Sequence, residues 1–170
     1  MATDYEMVFK KNRHALGDPS KEFVKFFDSY DRNHASILDL GCGQGRDALF
    51  IARLGHRVIG IDHSPSGIRD LLEDAENEGL VIEAQVADIR SYSPDCAYDI
   101  VIIDRTLHML DPEDQLSVLQ TMLDAVCADG FMLIADESSN IPAFEKVFDA
   151  SKPVWTPIFK RRGYLFVQRN

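Results

Sequence analysis

The chain has 170 residues, 45% of them hydrophobic, which suits one globular domain over residues 1–170 with a single core. Its 18 basic and 28 acidic side chains give a formal net charge of −10, a sign that repels a phosphate backbone and argues against nucleic acid as a partner. Cys42, Cys96 and Cys127 are far apart and show no CxxC spacing, which argues against a disulfide framework and a structural metal site.

The stretch before Pro19 has no apolar core of signal-peptide length, and no apolar run approaches the roughly 20 residues that span a bilayer. A reducing, cytoplasmic setting without membrane partners is therefore expected. The first helix is expected after Pro19, where Phe23, Phe26, Phe27 and Tyr30 share one face. Residues 35–41 (ASILDLG) read as a buried strand, 46–55 as a short helix closed by glycine, and 56–62 (HRVIGID) as a second strand. Ser64-Pro65 supplies a cap and a first-turn proline for a helix with Ile68, Leu71, Leu72 and Ala75 inward and Gly79 as its stop.

Residues 80–88 read as a third strand and 98–104 (YDIVIID) as a fourth. Asp111-Pro112 opens a helix whose expected core face is Leu116, Leu119, Leu123 and Val126. A fifth strand follows at 131–137, a helix at 141–150, and then two strands joined by a tight turn at 161–163. The basic run Lys160-Arg161-Arg162 reads as part of that solvated turn. Alternating strands and helices require parallel pairing through helical crossovers. The expected fold is a doubly wound α/β sheet, mostly parallel, with a C-terminal antiparallel hairpin.

Ligands of such sheets bind beyond the carboxyl ends of the strands. Gly41, Cys42, Gly43, Gln44 and Gly45 occupy that end of the first strand, where glycines let the backbone turn sharply and approach a ligand. The helix that follows offers unpaired N–H groups. In a dinucleotide fingerprint G-x-G-x-x-G, the third glycine would fall at Arg46, so a nicotinamide-dependent oxidoreductase is disfavoured. No Gly-Lys-Ser/Thr follows, so a Walker loop is absent. Asp62 closes the second strand roughly 20 residues after the loop, where an acid can accept both hydroxyls of a ribose. Asp88 follows the third strand, placed to accept from a purine amine, with Ile89 offering an N–H and an apolar face. Taken singly, either acid reads equally as a loop or cap residue.

Together these segments (DLGCGQG, VIGID, VADI and YDIVIID) resemble the successive motifs of class I methyltransferases that use S-adenosylmethionine. Within that superfamily, GQGRDALFIARLGHRVIGID is similar to small-molecule methyltransferases of the tellurite-resistance and thiopurine type. The resemblance implies a Rossmann-like sheet of seven strands, the seventh antiparallel between the fifth and sixth. It implies that Asp39 to Gly45, including Gly41, Cys42 and Gly43, wraps the methionine and ribose of the cofactor. Asp62 would hold the ribose hydroxyls, His63 would flank the adenine, and Asp88 and Ile89 would meet its edge. Arg46 has two readings, a partner for the cofactor's carboxylate or a surface arginine of the first helical turn.

Transfer of a sulfonium methyl is an in-line displacement that alignment in a dry site accelerates, and a base is needed only for a protonated acceptor. The candidate catalytic residues are Asp104 and His108, in the DRTLHML turn after the fourth strand. His108 is either a general base or a residue packed on the next helix, and Asp104 either lines the acceptor or holds the cofactor's ammonium. Asp136 and Glu137 are further candidates for the acceptor site.

Only one helix separates strands five and six, so a long lid is not expected there. The acceptor pocket is roofed by the helical N-terminal segment 1–34 (Tyr5, Phe9, Lys11, Arg13, His14), by the second subunit of a homodimer, or by the substrate; the alternative is that this segment is a frayed tail. The expected activity is methyl transfer from S-adenosylmethionine to a small molecule, leaving S-adenosylhomocysteine. A non-catalytic cofactor-binding regulatory module and a methyltransferase acting on protein are the alternatives.

Overall fold

The computed structural model describes residues 3–170; Met1 and Ala2, the start of the N-terminal segment read above, lie outside the described residues. Its contacts group the chain into two units, residues 1–88 and 89–170. The first unit contains α1 (Tyr5–Lys11), α2 (Lys21–Ser29), β1 (Ser36–Leu40), α3 (Arg46–Arg53), β2 (Arg57–Asp62), α4 (Pro65–Glu78) and β3 (Ile82–Val86). The second contains β4 (Tyr98–Asp104), α5 (Pro112–Leu123), β5 (Val126–Ala135), α6 (Ile141–Ala150), β6 (Trp155–Arg161) and β7 (Tyr164–Arg169). The strand order is β3-β2-β1 in the first unit and β4-β5-β7-β6 in the second.

In the first unit, β1 pairs parallel with β2 and β2 with β3, Leu38 lying opposite Ile59 and Ile61 opposite Gln85. Ile37, Leu38, Leu40, Ile51, Val58 and Leu71 are fully buried and form its core. The α4 helix starts where expected, because the Ser64 side chain accepts from the Gly67 N–H and Pro65 follows it. It stops at Gly79, whose φ of 66° is the left-handed conformation that ends helices. Leu72, expected inside, is 38% exposed: the helix is narrow on its buried side, and Ile68, Leu71 and Ala75 fill that side. The third strand spans 82–86 rather than 80–88; it lies at the sheet edge, where one flank of backbone lacks a pairing strand.

In the second unit, β4 pairs parallel with β5, and β7 lies antiparallel between β5 and β6. Strand β5 begins at Val126, five residues earlier than the apolar run FMLIADE suggested. Its pairing with β4 shifts between Tyr98 and Ile100, and Asp129 (φ 60°) and Gly130 lie within the intervening segment. Val126 thus belongs to the strand rather than to the core face of α5. That face is Val118, Leu119, Met122 and Leu123, whereas Leu116 is 36% exposed. No helix among the described residues is long and apolar enough to cross a membrane.

Candidate functional site

The loop between β1 and α3 is held in shape by backbone hydrogen bonds to β2 and within itself. The N–H groups of Gly41 and Cys42 donate to the Ile61 carbonyl at 2.7 and 3.1 Å, and Gly45 donates to Cys42 at 2.8 Å. Gly41 and Gly45 both have φ 83°. At Gly45, the N-cap of α3, an added Cβ would overlap the buried Leu71 side chain. Glycine is therefore required there twice over, by backbone conformation and by space. With glycine as its cap, α3 has no side chain closing its N-terminus, which leaves a partial positive end beside the loop.

Asp62, at the end of β2, is tied to this loop. Its Oδ2 accepts from the Gly43 N–H at 2.9 Å and its Oδ1 from the Ser64 N–H at 2.8 Å. The carboxylate thus joins the glycine loop to the start of α4 while each oxygen retains a further lone pair. His63 is mostly exposed, with Nδ1 3.5 Å from Asp62 Oδ1. Cys42 is buried, and burial, then the charges of Asp39 and Asp62, push its thiol well above the ordinary range, so it stays protonated. Asp39 is buried at the end of β1. Arg46 lies along Asp47, with Nε and Nη2 at 3.2 and 3.0 Å from Oδ2. Asp88 is half-buried in the segment after β3.

The N-terminal segment is not a frayed tail. Phe9 is 3% exposed, and a Cβ on Gly43 would come within 3.0 Å of its ring. Glu6 accepts from the Ser64 hydroxyl, from the Ser66 N–H at 3.1 Å and from the Ser66 hydroxyl at 2.9 Å. The Ser64 hydroxyl, and after it the two Ser66 donors and Lys10, outweigh a smaller upward pull of burial and bring the Glu6 carboxyl from 4.5 to about 2. Arg13 donates to Glu73 and Asp74 of α4, both at 2.7 Å, and His14 Nε2 lies 3.6 Å from Asp74. Buried Gln44 donates to the Asn12 carbonyl at 2.8 Å and to Asp70 at 2.7 Å, and accepts from Ala15 N–H at 2.9 Å. Burial raises the Asp70 carboxyl, but Arg69, Gln44 and Arg13 together hold it below its usual range. Glu6 was not singled out in the sequence, and Gln44 was read there only as a member of the glycine loop, not as its tie to the N-terminal segment.

In the second unit, Asp104 ends β4, and a 3₁₀ turn at Leu107–Met109 carries His108. Arg105 takes φ 55° and lies 3.5 Å from Glu137. Asp136, 1% exposed, accepts from the His108 N–H at 3.0 Å, the Glu137 N–H at 2.8 Å and the Asn140 side-chain amide at 2.8 Å. One buried carboxylate therefore gathers the turns after β4 and β5. Ile89, at 9% exposure, sits at the start of this unit.

Residues 37–130 match the family model described as "Methyltransferase domain". The chain is 34% identical over 98 residues to the probable S-adenosyl-L-methionine-dependent methyltransferase TehB of Haemophilus influenzae, covering 58% of this chain and 34% of that protein. It is 30% identical over 147 residues to the 2-heptyl-1-hydroxyquinolin-4(1H)-one methyltransferase of Mycobacteroides abscessus, covering 84% of this chain and 63% of that protein. The chain thus spans about a third and about three fifths of these two relatives. The crystal structure of a TehB-like SAM-dependent methyltransferase from Corynebacterium glutamicum shares the fold, with a TM-score of 0.72 at 21% identity over 96% of both chains. With more than half of its length matched, the chain belongs to the methyltransferase-domain family, within the class I S-adenosylmethionine-dependent superfamily.

Proposed function

We propose that the chain transfers the methyl group of S-adenosylmethionine to a small-molecule acceptor, releasing S-adenosylhomocysteine. The observation that carries this reading is the glycine loop pinned to Asp62, beside a helix N-terminus with no side-chain cap. Such a cradle fits a nucleoside with an amino-acid arm. Asp62 is oriented by two N–H donors and retains lone pairs for the two ribose hydroxyls. The bare start of α3 suits a carboxylate, and Arg46, steadied by Asp47, adds a cation there. In the same reading His63, Asp88 and Ile89 serve the adenine, and Asp104 serves the donor's ammonium.

A small acceptor is favoured because the M. abscessus relative, which aligns with most of this chain, is named for a small hydroxylated quinolone. The single-domain reading of residues 1–170 and a cytoplasmic setting belong to the same proposal. His108 is the proposed general base, on a turn fixed by Asp136.

The test is release of S-adenosylhomocysteine from purified protein across phenol, thiol, amine, carboxylate and protein acceptors. Turnover with a small acceptor supports the proposal. Turnover with protein acceptors alone, or tight cofactor binding with no turnover on any class, would contradict it.

A further inference from the structure

We propose that Asp136 is a positioning residue for His108, and that the pair serves an acceptor hydroxyl that is protonated at neutral pH, such as an alcohol or phenol; this rests on the methyl-transfer reading above. Asp136 Oδ2 already holds the His108 backbone N–H at 3.0 Å. The same oxygen lies 3.8 Å from His108 Nδ1, a buried nitrogen that makes no hydrogen bond. The His108 side chain is nevertheless 27% exposed, and Nε2, unlike Nδ1, is not among its buried unpaired atoms.

A neutral imidazole has one N–H and one lone pair. With Nδ1 facing a buried carboxylate, the lone pair there would be repelled and the N–H attracted. The proton therefore sits on Nδ1 and the basic lone pair on Nε2. At 3.8 Å the Nδ1–H···Oδ2 contact is longer than a hydrogen bond, and a small ring rotation closes it when His108 takes up charge.

Asp136 is itself fixed from three directions. Glu137 N–H and the Asn140 amide occupy Oδ1, and the Asp136 N–H donates to the Gly163 carbonyl at 2.8 Å in the β6–β7 turn. Gly163 has φ 64°, and a Cβ there would overlap the Asp136 carbonyl oxygen. A carboxylate held this firmly beside Nδ1 of an imidazole suits a base that must be oriented.

The acceptor class follows from the need for a base. Thiolates and selenides that are already ionised attack a sulfonium methyl without help, whereas a hydroxyl must lose its proton. In the proposed step the acceptor O–CH₃ bond forms as the donor S–CH₃ bond breaks, its electron pair remaining on sulfur. The hydroxyl proton passes to Nε2 and then to water, and the Nδ1 proton stays in place.

Two measurements test this. In the ¹⁵N-labelled protein without cofactor, long-range ¹H–¹⁵N spectra should show neutral His108 protonated on Nδ1, and Asp136→Asn should reduce that population. In kinetics, Asp136→Asn and His108→Gln should each lower the ratio of kcat on 4-methylphenol to kcat on thiophenol, which is ionised at the assay pH, by roughly 100-fold with KM little changed. Circular dichroism checks that both variants fold. Wild-type His108 protonated on Nε2, or an unchanged phenol-to-thiophenol ratio in an active enzyme, would overturn the dyad while leaving methyl transfer standing. No turnover on any acceptor would overturn both.

Discussion

The Gly43 N–H donates to Asp62 Oδ2 at 2.9 Å, so the acid that ends β2 also sets the shape of the glycine loop that follows β1. Asp62→Ala removes the acceptor for two buried N–H groups, those of Gly43 and Ser64. An unpaired buried donor costs about 1–3 kcal/mol, so the variant should lose stability as well as cofactor affinity. Urea unfolding with and without S-adenosylhomocysteine separates the two losses. Asp62→Asn, which keeps one acceptor oxygen, should fall between Ala and wild type. A variant as stable as wild type would show that the two N–H groups do not depend on Asp62.

Gly45→Ala meets both a left-handed backbone and the Leu71 side chain. Left-handed strain of about 1–2 kcal/mol and overpacking of about 1–3 kcal/mol act together. The expected loss is thus several kcal/mol. In a double-mutant cycle with Leu71→Ala, the overlap should appear as a coupling between the two sites. Additive losses would place the whole cost in the backbone.

Glu6 gives a pH dependence with a defined sign. Its folded carboxyl sits at about 2 against an ordinary 4.5, so the charged form stabilises the attachment of α1. That stabilisation is fully present above about pH 4.5 and is lost as pH falls toward 2. Hydrogen exchange of the α1 amides should therefore be faster in Glu6→Gln than in wild type at neutral pH, with the difference shrinking below pH 4.5. A difference that persists unchanged to pH 2 would assign the effect to packing of Phe9 instead.

The cysteines should separate by exposure. Cys96 is exposed and Cys42 is buried with its thiol pushed upward. A thiol reagent should label Cys96 rapidly and Cys42 only on unfolding. Mass spectrometry of the labelled peptides checks this, and rapid native labelling of Cys42 would contradict the packing of the loop.

Much of this architecture was legible because buried parallel strands leave long apolar runs and helices leave caps. YDIVIID, Ser64-Pro65 and Gly79 became β4 and the two ends of α4 as read. Helix α1 was legible only as part of a helical N-terminal segment and not in its bounds, since seven residues with Phe9 alone buried make no periodic stripe. Leu72 and Leu116 were assigned to the core because helical spacing finds a face only to within one residue's rotation. The glycine loop and Asp62 were visible as a pair, but the bonds joining them use backbone N–H groups, which carry no residue signature. The Glu6–Ser66 contact joins positions 60 residues apart and depends on the path of the chain. Asp136 was read as a candidate for the acceptor site; its role in joining two turns appears only when those turns meet.

The central claim is a cradle for an S-adenosyl nucleoside organised by Asp62. Isothermal titration of wild type and Asp62→Ala with S-adenosylhomocysteine, and of wild type with NAD, tests it most directly. The expected result is saturable binding of S-adenosylhomocysteine by wild type, weakened by about 1.5–3 kcal/mol in the variant, and no comparable NAD binding. NAD binding without a response to S-adenosylhomocysteine, or equal affinity in Asp62→Ala, would contradict the account.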